Sequence, residues 1–221
     1  MKSELEVIDR LHRTETAFVM ATLRTLKYRN PGDNYYDEYM KHYKREGEKF
    51  YDQYHLAIAA AICRKPEKIL EVGVRTGNSI CNLLCAFTDR SIIERIVLVD
   101  TWNDDYISPG LVKLNMKAVG VGDVLDRTEF LTGTSATIMP ELTGQFDYIL
   151  IDGDHTKDVA RQDLEDAIRL VAPGGIIVFD DLTIHGCDLM DVWQDFKEKH
   201  IKKFDFEENH HGKGVGWAIR K

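Results

Sequence analysis

The nonapeptide EVGVRTGNS, from Glu71 to Ser79, joins an apolar run to a helical pattern. The pair Ile69-Leu70 precedes it. The residues that follow place apolar side chains at helical spacing, at Ile80, Leu83, Leu84 and Phe87. Two glycines let the backbone between strand and helix approach a ligand closely, and the first helical turn has unpaired N–H groups. The stretch therefore predicts a strand, a glycine turn and a helix that together form a ligand site.

The charge of Glu71 indicates which ligand this turn accepts. A carboxylate here would repel a pyrophosphate and attract the amino group of a cationic ligand. The dinucleotide fingerprint requires G-x-G-x-x-G, but Arg75 and Asn78 stand where that fingerprint places glycine. The turn therefore favours S-adenosylmethionine (SAM) over NAD.

Composition excludes several classes of partner. The 221 residues are 43% hydrophobic and 30% charged, which is typical of a globular domain with a substantial core. The formal charge of −8 without a basic stripe argues against nucleic acid. No apolar run reaches the roughly 18 residues of a membrane span, and Glu4 and Glu6 stand where a signal peptide is apolar. We expect a cytoplasmic protein that binds neither nucleic acid nor membrane.

Short apolar runs alternate with amphipathic helical patterns from about residue 47 onward. The expected strands are Lys68–Gly73, Arg95–Asp100, Thr128–Thr132, Phe146–Asp152, Gly175–Asp180, Lys202–Glu207 and Val215–Arg220. The expected helices are Asn78–Thr88, Leu111–Val119, Ser135–Leu142, Lys157–Val171 and Asp188–His200. Continuous apolar strands separated by helices predict a parallel sheet covered on both faces. The short turn His210–Gly214 predicts an antiparallel hairpin at the end of the chain.

Residues 1–46 differ from this pattern and are expected to form an N-terminal helical cap on a second unit, residues 47–221. Ser3–Leu26 fits an amphipathic helix with a capping box at Ser3 and Glu6. A tyrosine-rich segment follows, with Tyr35, Tyr36, Tyr39 and Tyr43. Two interpretations stay open. The tyrosines pack on the sheet edge, or the segment is a lid over the acceptor pocket or a contact between subunits of a homo-oligomer.

Ligands of such sheets bind outside the carboxyl ends of the strands, which assigns candidate cofactor residues. The methionine part of SAM is expected against the first turn, at Glu71, Gly73, Arg75, Thr76, Gly77 and Ser79. Asp100 ends the second strand and could accept hydrogen bonds from both ribose hydroxyls, with Thr101 and Trp102 beside the nucleoside. Thr134 and Ser135 could bond the adenine edge. The alternatives are structural: Asp100 and Ser135 as caps, and Trp102 as a packing residue.

Acids also end two later strands, Asp152 in one and the pair Asp180-Asp181 in the other. Adjacent strands lie about 4.8 Å apart, so these carboxylates converge at one edge if the two strands pair. Close carboxylates need a neutralising cation, and oxygen ligands suit Mg²⁺. The alternative is that one acid caps the next helix and Asp152 binds SAM, without a metal.

His155 follows Asp152 by three residues, at the mouth of the same strand. Histidine has an ordinary pKa of about 6.5, which suits a base that removes a hydroxyl proton near neutral pH. The alternative is a histidine at a helix start that bonds to backbone.

Five motifs in order resemble class I SAM-dependent methyltransferases: E-V-G-x-x-x-G-x-S, V-D-T-W, G-T-S-A-x-x-x-P, I-D-G-D-H and P-G-G-x-I-x-F-D-D. The closer likeness is to the branch with catechol, caffeoyl-CoA and macrolide-sugar O-methyltransferases and cephalosporin-type biosynthetic proteins, over residues 50–220. The resemblance implies an α/β fold with a Rossmann-like, doubly wound sheet of seven strands, the last one antiparallel. It also implies SAM across Glu71–Ser79, Asp100 and Thr134–Ser135. In metal-dependent members the equivalents of Asp152, Asp180 and Asp181 hold Mg²⁺.

Two positions separate members of this branch. Catechol-type enzymes have asparagine where Asp181 stands and a lysine base where His155 stands, whereas an acid and a histidine resemble the macrolide-sugar enzymes. The resemblance therefore implies O-methylation of a sugar-like or natural-product hydroxyl, with His155 as base and Mg²⁺ assistance. The alternatives are a metal-independent N- or C-methyltransferase, an NAD-linked oxidoreductase and a non-catalytic SAM-binding scaffold.

Overall fold

The computed structural model describes residues 57–103, 107–183, 188–210 and 213–221. The expected N-terminal cap and its tyrosine-rich segment lie outside these ranges. Within them, no helix combines the length and the apolar character needed to cross a membrane.

Seven strands form one sheet in the order β3-β2-β1-β4-β5-β7-β6. The strands are β1 (Lys68–Val72), β2 (Arg95–Asp100), β3 (Thr128–Thr132), β4 (Phe146–Ile151), β5 (Val171–Asp180), β6 (Phe204–Asn209) and β7 (Val215–Arg220). Strands β1 to β5 pair in parallel, and β7 runs antiparallel to both β5 and β6. The order reverses at β1, between β2 and β4, which places a ligand crevice at the carboxyl ends of these strands. The predicted Rossmann-like, doubly wound sheet is confirmed.

Helices cover both faces of the sheet. Residues 57–62 are helical, and the remaining helices are α1 (Asn78–Ala86), α2 (Pro109–Ala118), α3 (Ser135–Ile138), α4 (Lys157–Leu170) and α5 (Met190–His200). Neighbouring residues of β1 show the two-sided burial: Ile69 joins one core cluster with α1, and Leu70 joins the other with α4. Because both faces are buried, the central strands β1, β2 and β4 have runs of successive buried residues instead of an alternating pattern.

Some element boundaries differ from the expected ones. The helix expected over Ser135–Leu142 ends early and continues as a 3₁₀ turn, Met139–Glu141, because Pro140 has no N–H to donate. Strand β5 begins at Val171, before the glycine pair, and its register with β4 shifts between Phe146 and Tyr148. Helix α5 starts two residues later than expected, and β6 is displaced toward the C-terminus.

Candidate active site

The turn after β1 packs directly against the end of β4. Gly73 has φ 84° and donates its N–H to Val99 O at 3.0 Å. A Cβ atom at Gly73 would lie 1.7 Å from the carbonyl oxygen of Asp152. Only glycine fits there. The backbone of the predicted cofactor turn therefore packs directly against the backbone of Asp152, which belongs to the predicted acid cluster.

Glu71 is fully buried beneath this turn. The Ser79 hydroxyl, from the first turn of α1, donates to Glu71 Oε1, whereas Oε2 has no hydrogen-bond partner among the described residues. Burial raises the pKa of Glu71 to about 8; the Ser79 bond opposes that rise, and Asp152 and Asp100 add to it. A buried acid with an unpaired oxygen is suited to a cationic ligand, whose charge would favour the carboxylate form.

The start of α1 offers backbone donors. Gly77, with φ 81°, precedes the first helical residue, and no side chain caps this end. The first N–H groups of the helix are therefore free of a side-chain acceptor and suit an anionic ligand group. Thr76 holds this turn in place, because its carbonyl oxygen accepts a hydrogen bond from Asn115 Nδ2 at 3.0 Å.

Asp100 is oriented by two backbone donors. The Arg75 N–H donates to one carboxylate oxygen at 2.8 Å, and the Trp102 N–H donates to the other at 3.0 Å. Each carboxylate oxygen retains a second lone pair for a ligand hydroxyl. Thr101, next to Asp100, is partly buried. Asp100 thus holds the turn in place through its bonds to backbone N–H groups, and its carboxylate oxygens can still accept hydrogen bonds from ribose hydroxyls.

Trp102 lies beside Asp100 and is partly buried. Its ring centroid is 6.4 Å from that of Phe130, and its Nε1 has no hydrogen-bond partner within the described ranges. An indole with an unpaired donor next to Asp100 is consistent with a nucleoside neighbour.

The two residues predicted to bond adenine, Thr134 and Ser135, lie at the start of α3. Thr134 is exposed, and its carbonyl oxygen accepts a hydrogen bond from the Thr137 hydroxyl at 2.9 Å. Ser135 is buried beside Asp163 of α4, which the sequence reading did not single out. Burial raises the pKa of Asp163 to about 6, against an opposing contribution from the Ser135 hydroxyl. Ser135 therefore faces a buried acid of the protein, in addition to any ligand role.

Strands β4 and β5 bring the expected acids together. One possible ligand atom from each of Asp152, His155 and Asp181 lies within 4.8 Å of the others. His155 Nε2 is 3.6 Å from Asp152 Oδ1 and 3.1 Å from Asp181 Oδ2. Asp180, the third metal ligand expected from the sequence, is outside this set of three.

Buried carboxylates dominate the electrostatics of this cluster. Loss of water contact raises the pKa values of Asp152 and Asp180, and the neighbouring acids raise them further. The Asp152 carboxylate raises the pKa of His155, and the charge of Asp181 adds to that rise. The carboxylate oxygens of Asp152 and Asp181 are ligands that suit a divalent cation. The buried Oδ2 of Asp181 is paired with His155 Nε2 at 3.1 Å.

Sequence reasoning missed Lys213, which it assigned only to the turn of the last hairpin. Lys213 Nζ lies 3.0 Å from Asp181 Oδ1. Burial opposes protonation of Lys213, but its bond to Asp181 raises the pKa of the ammonium. The antiparallel direction of β7 explains the approach, because it sets Val215 opposite Asp180 and brings the preceding turn to the acids.

Asp181 itself has an unusual backbone. Its φ is 60°, in the left-handed region that most residues avoid, and its side chain is 2% exposed. This conformation follows the last residue of β5 and ends the strand.

Comparison with known proteins places this geometry in a family context. A family model described as a methyltransferase domain matches residues 70–182. A search of the curated proteins finds no match.

Three solved structures illustrate the shared fold. An O-methyltransferase from Bacillus cereus in complex with SAH is 19% identical, over 75% of this chain and 80% of that chain, with a TM-score of 0.57. The O-methyltransferase TomG from Streptomyces achromogenes, in complex with SAM, is also 19% identical, over 75% and 78%, with a TM-score of 0.56. SAH-bound methyltransferase PaMTH1 from Podospora anserina is 21% identical, over 76% and 77%, with a TM-score of 0.55.

Proposed function

This chain belongs to the methyltransferase family whose domain model it matches, and from that membership we propose that it transfers the methyl group of SAM to a hydroxyl of a small molecule. The observation that carries the proposal is His155, held within 3.6 Å of Asp152 and 3.1 Å of Asp181 beside the glycine turn. The likeness to macrolide-sugar enzymes favours a sugar-like or natural-product acceptor. Calorimetry with SAM, followed by transfer of labelled methyl groups to a library of hydroxyl compounds, tests this proposal.

The cofactor turn supports SAM by the charge of its groups. The unpaired oxygen of Glu71 would meet the amino group, and the free N–H groups at the start of α1 would meet the carboxylate. Asp100, which two backbone N–H groups orient, would bind the ribose hydroxyls. The amino, carboxylate and ribose groups of the ligand thus each have a complementary protein group.

The proposed reaction requires alignment and removal of a proton. The acceptor oxygen bonds to the methyl carbon as the carbon–sulfur bond of the sulfonium breaks. His155 takes the hydroxyl proton, and the carboxylates of Asp152 and Asp181 stabilise the resulting imidazolium. The close packing of Gly73 against Asp152 sets the distance between cofactor turn and base, which aligns the reacting groups.

The acids of this site fit a divalent cation. Asp152 and Asp181 would hold Mg²⁺, and we retain Asp180 as a proposed ligand because its carboxyl is near enough for both acids to raise its pKa. The ion, when bound, supplies a positive charge that lowers the pKa of a bound hydroxyl.

Treatment with EDTA is expected to abolish methyl transfer, and added Mg²⁺ to restore it. SAM binding in the same EDTA buffer should persist, because Glu71 and Asp100 do not depend on the cation. The measurements are turnover with labelled SAM and calorimetry. Unchanged turnover in EDTA would remove the metal from the proposal and leave methyl transfer in place.

The substitution Glu71→Gln is expected to weaken SAM binding by about 10- to 100-fold, because it removes a charge-assisted hydrogen bond. Calorimetry measures this loss. The matched control is Glu94→Gln, since the Glu94 side chain is 59% exposed on the surface, where it pairs with Lys68. Equal affinities for SAM in the Glu71 variant and the wild type would contradict the assigned role.

The variant Glu71→Gln should also differ from wild type in how its thermal stability depends on pH when no ligand is bound. Burial raises the pKa of Glu71 from 4.5 to about 8, so the wild type is fully stabilised below the lower value and loses stability as pH rises toward the upper one. The loss is about 1.4 kcal/mol per pH unit at its steepest. Because glutamine does not titrate, the Tm of Glu71→Gln relative to wild type should rise over this range. If the Tm values of the variant and the wild type changed in parallel with pH, the raised pKa of Glu71 would be contradicted.

A further inference from the structure

Lys213 brings a positive charge to the acid cluster. Its Nζ is 3.0 Å from Asp181 Oδ1, while His155 Nε2 approaches the other oxygen at 3.1 Å. Within the described ranges, Lys213 is the only lysine or arginine whose side chain forms an ion pair with Asp152, Asp180 or Asp181. A protein cation therefore already occupies the buried acid that the proposed metal would use.

The backbone around Lys213 is held against the loop that carries Asp181. The Thr183 N–H donates to Lys213 O at 2.7 Å, and the Leu182 N–H donates to Gly214 O at 3.2 Å. Gly214 has φ 74°, and a Cβ there would lie 2.9 Å from Thr183 Cγ2 and 3.0 Å from Leu182 Cβ. These contacts fix the start of the lysine side chain next to Asp181, so the ion pair does not depend on chance contact of two surface side chains.

The far end of the lysine has a route to solvent. The Lys213 side chain is 49% exposed, whereas that of Asp181 is 2% exposed. Lysine has a flexible four-carbon stem, so its ammonium can leave the acid without moving the backbone. Two cations on one carboxylate oxygen repel each other, so a divalent ion that uses Asp181 Oδ1 must displace the ammonium.

We propose that Lys213 is a tethered counter-ion that competes with the divalent cation for Asp181. The ammonium neutralises the acids while no cation is bound, and it moves to solvent when the cation enters. Lys213 therefore weakens cation binding by occupying Asp181 Oδ1. This inference rests on the metal site of the proposed function.

Direct binding of Mn²⁺, measured by electron paramagnetic resonance without SAM or acceptor, tests this competition. The variant Lys213→Gln is expected to bind Mn²⁺ at least about tenfold more tightly than wild type, because one competing charge is removed. Lys213→Arg keeps the charge and should stay within about threefold of wild type. The control is Lys221→Gln, which removes the same charge from the other end of β7, where Lys221 Nζ lies 3.0 Å from Asp205 Oδ1.

The outcomes separate this inference from the proposed function. If the wild type binds Mn²⁺ and Lys213→Gln binds it equally well or more weakly, the competition is overturned and the metal site stands. Tighter binding by Lys221→Gln as well would also overturn it, because the effect would then be one of net charge. Absence of Mn²⁺ binding in every variant contradicts both the metal site and the competition, whereas methyl transfer is measured separately. Circular dichroism verifies that each variant is folded. If Lys213→Gln does not fold, Lys213→Met removes the same charge and is expected to give the same result.

Discussion

Replacement of His155 by alanine is expected to lower kcat by about 10²- to 10⁴-fold, the usual contribution of a positioned general base. The reason is geometric, since His155 Nε2 contacts the carboxylates of Asp152 and Asp181, which stabilise the protonated ring. SAM affinity should change little, because the groups assigned to the cofactor follow β1, β2 and β3, away from His155. Steady-state kinetics and calorimetry measure the two quantities.

A second histidine provides the control for this experiment. His210 is 55% exposed and pairs with Glu208, outside the acid cluster, so His210→Ala should keep the kcat of wild type. Wild-type kcat should rise with pH as His155 becomes neutral, and this rise should be absent from the residual activity of His155→Ala. A large loss of SAM affinity in His155→Ala, with little change in kcat, would contradict the role of base.

Replacement of Gly73 by alanine is expected to lower the free energy of unfolding by more than about 4 kcal/mol, or to prevent folding. The new Cβ would lie 1.7 Å from Asp152 O and 2.4 Å from its carbonyl carbon, so backbone must move on one side of the turn. The positive φ of 84° adds about 1–2 kcal/mol of strain. Chemical denaturation measures the change.

The variant Gly120→Ala is a control that separates the cost of backbone strain from that of steric collision. Gly120 has φ 80°, close to that of Gly73, but a Cβ there meets nothing within 4 Å. Gly120→Ala should therefore lose only about 1–2 kcal/mol, which is the strain alone. If the two variants lose similar amounts, the contact between the β1 turn and Asp152 is looser than the structure shows.

Local sequence pattern was sufficient to predict the order of strands and helices, because burial of both sheet faces leaves continuous apolar runs. It also predicted that Asp152 and the pair Asp180-Asp181 would converge if their strands pair, with His155 at the mouth of the same strand as Asp152, since these residues lie at the carboxyl ends of two parallel strands. These are consequences of topology that any sequence with this pattern shares.

The contribution of Lys213 could not be found in the same way. Lys213 reaches Asp181 through the pairing of β7 with β5, whose register sets Val215 opposite Asp180. Periodicity indicates which residues are buried, but not the register that aligns a distant turn with a strand end. The sequence also does not indicate which of Asp180 and Asp181 lies within ligand distance of Asp152 and His155, because that depends on the backbone turn that follows β5.

The left-handed backbone of Asp181 restricts how this site can diverge among descendants. Aspartate, asparagine and glycine tolerate φ near 60°, whereas β-branched residues do not. Aspartate and asparagine codons differ by one base, so a lineage can exchange carboxylate for amide here while the strand end keeps its shape. At the proposed metal site, such an exchange would keep an oxygen ligand and remove one negative charge beside Lys213.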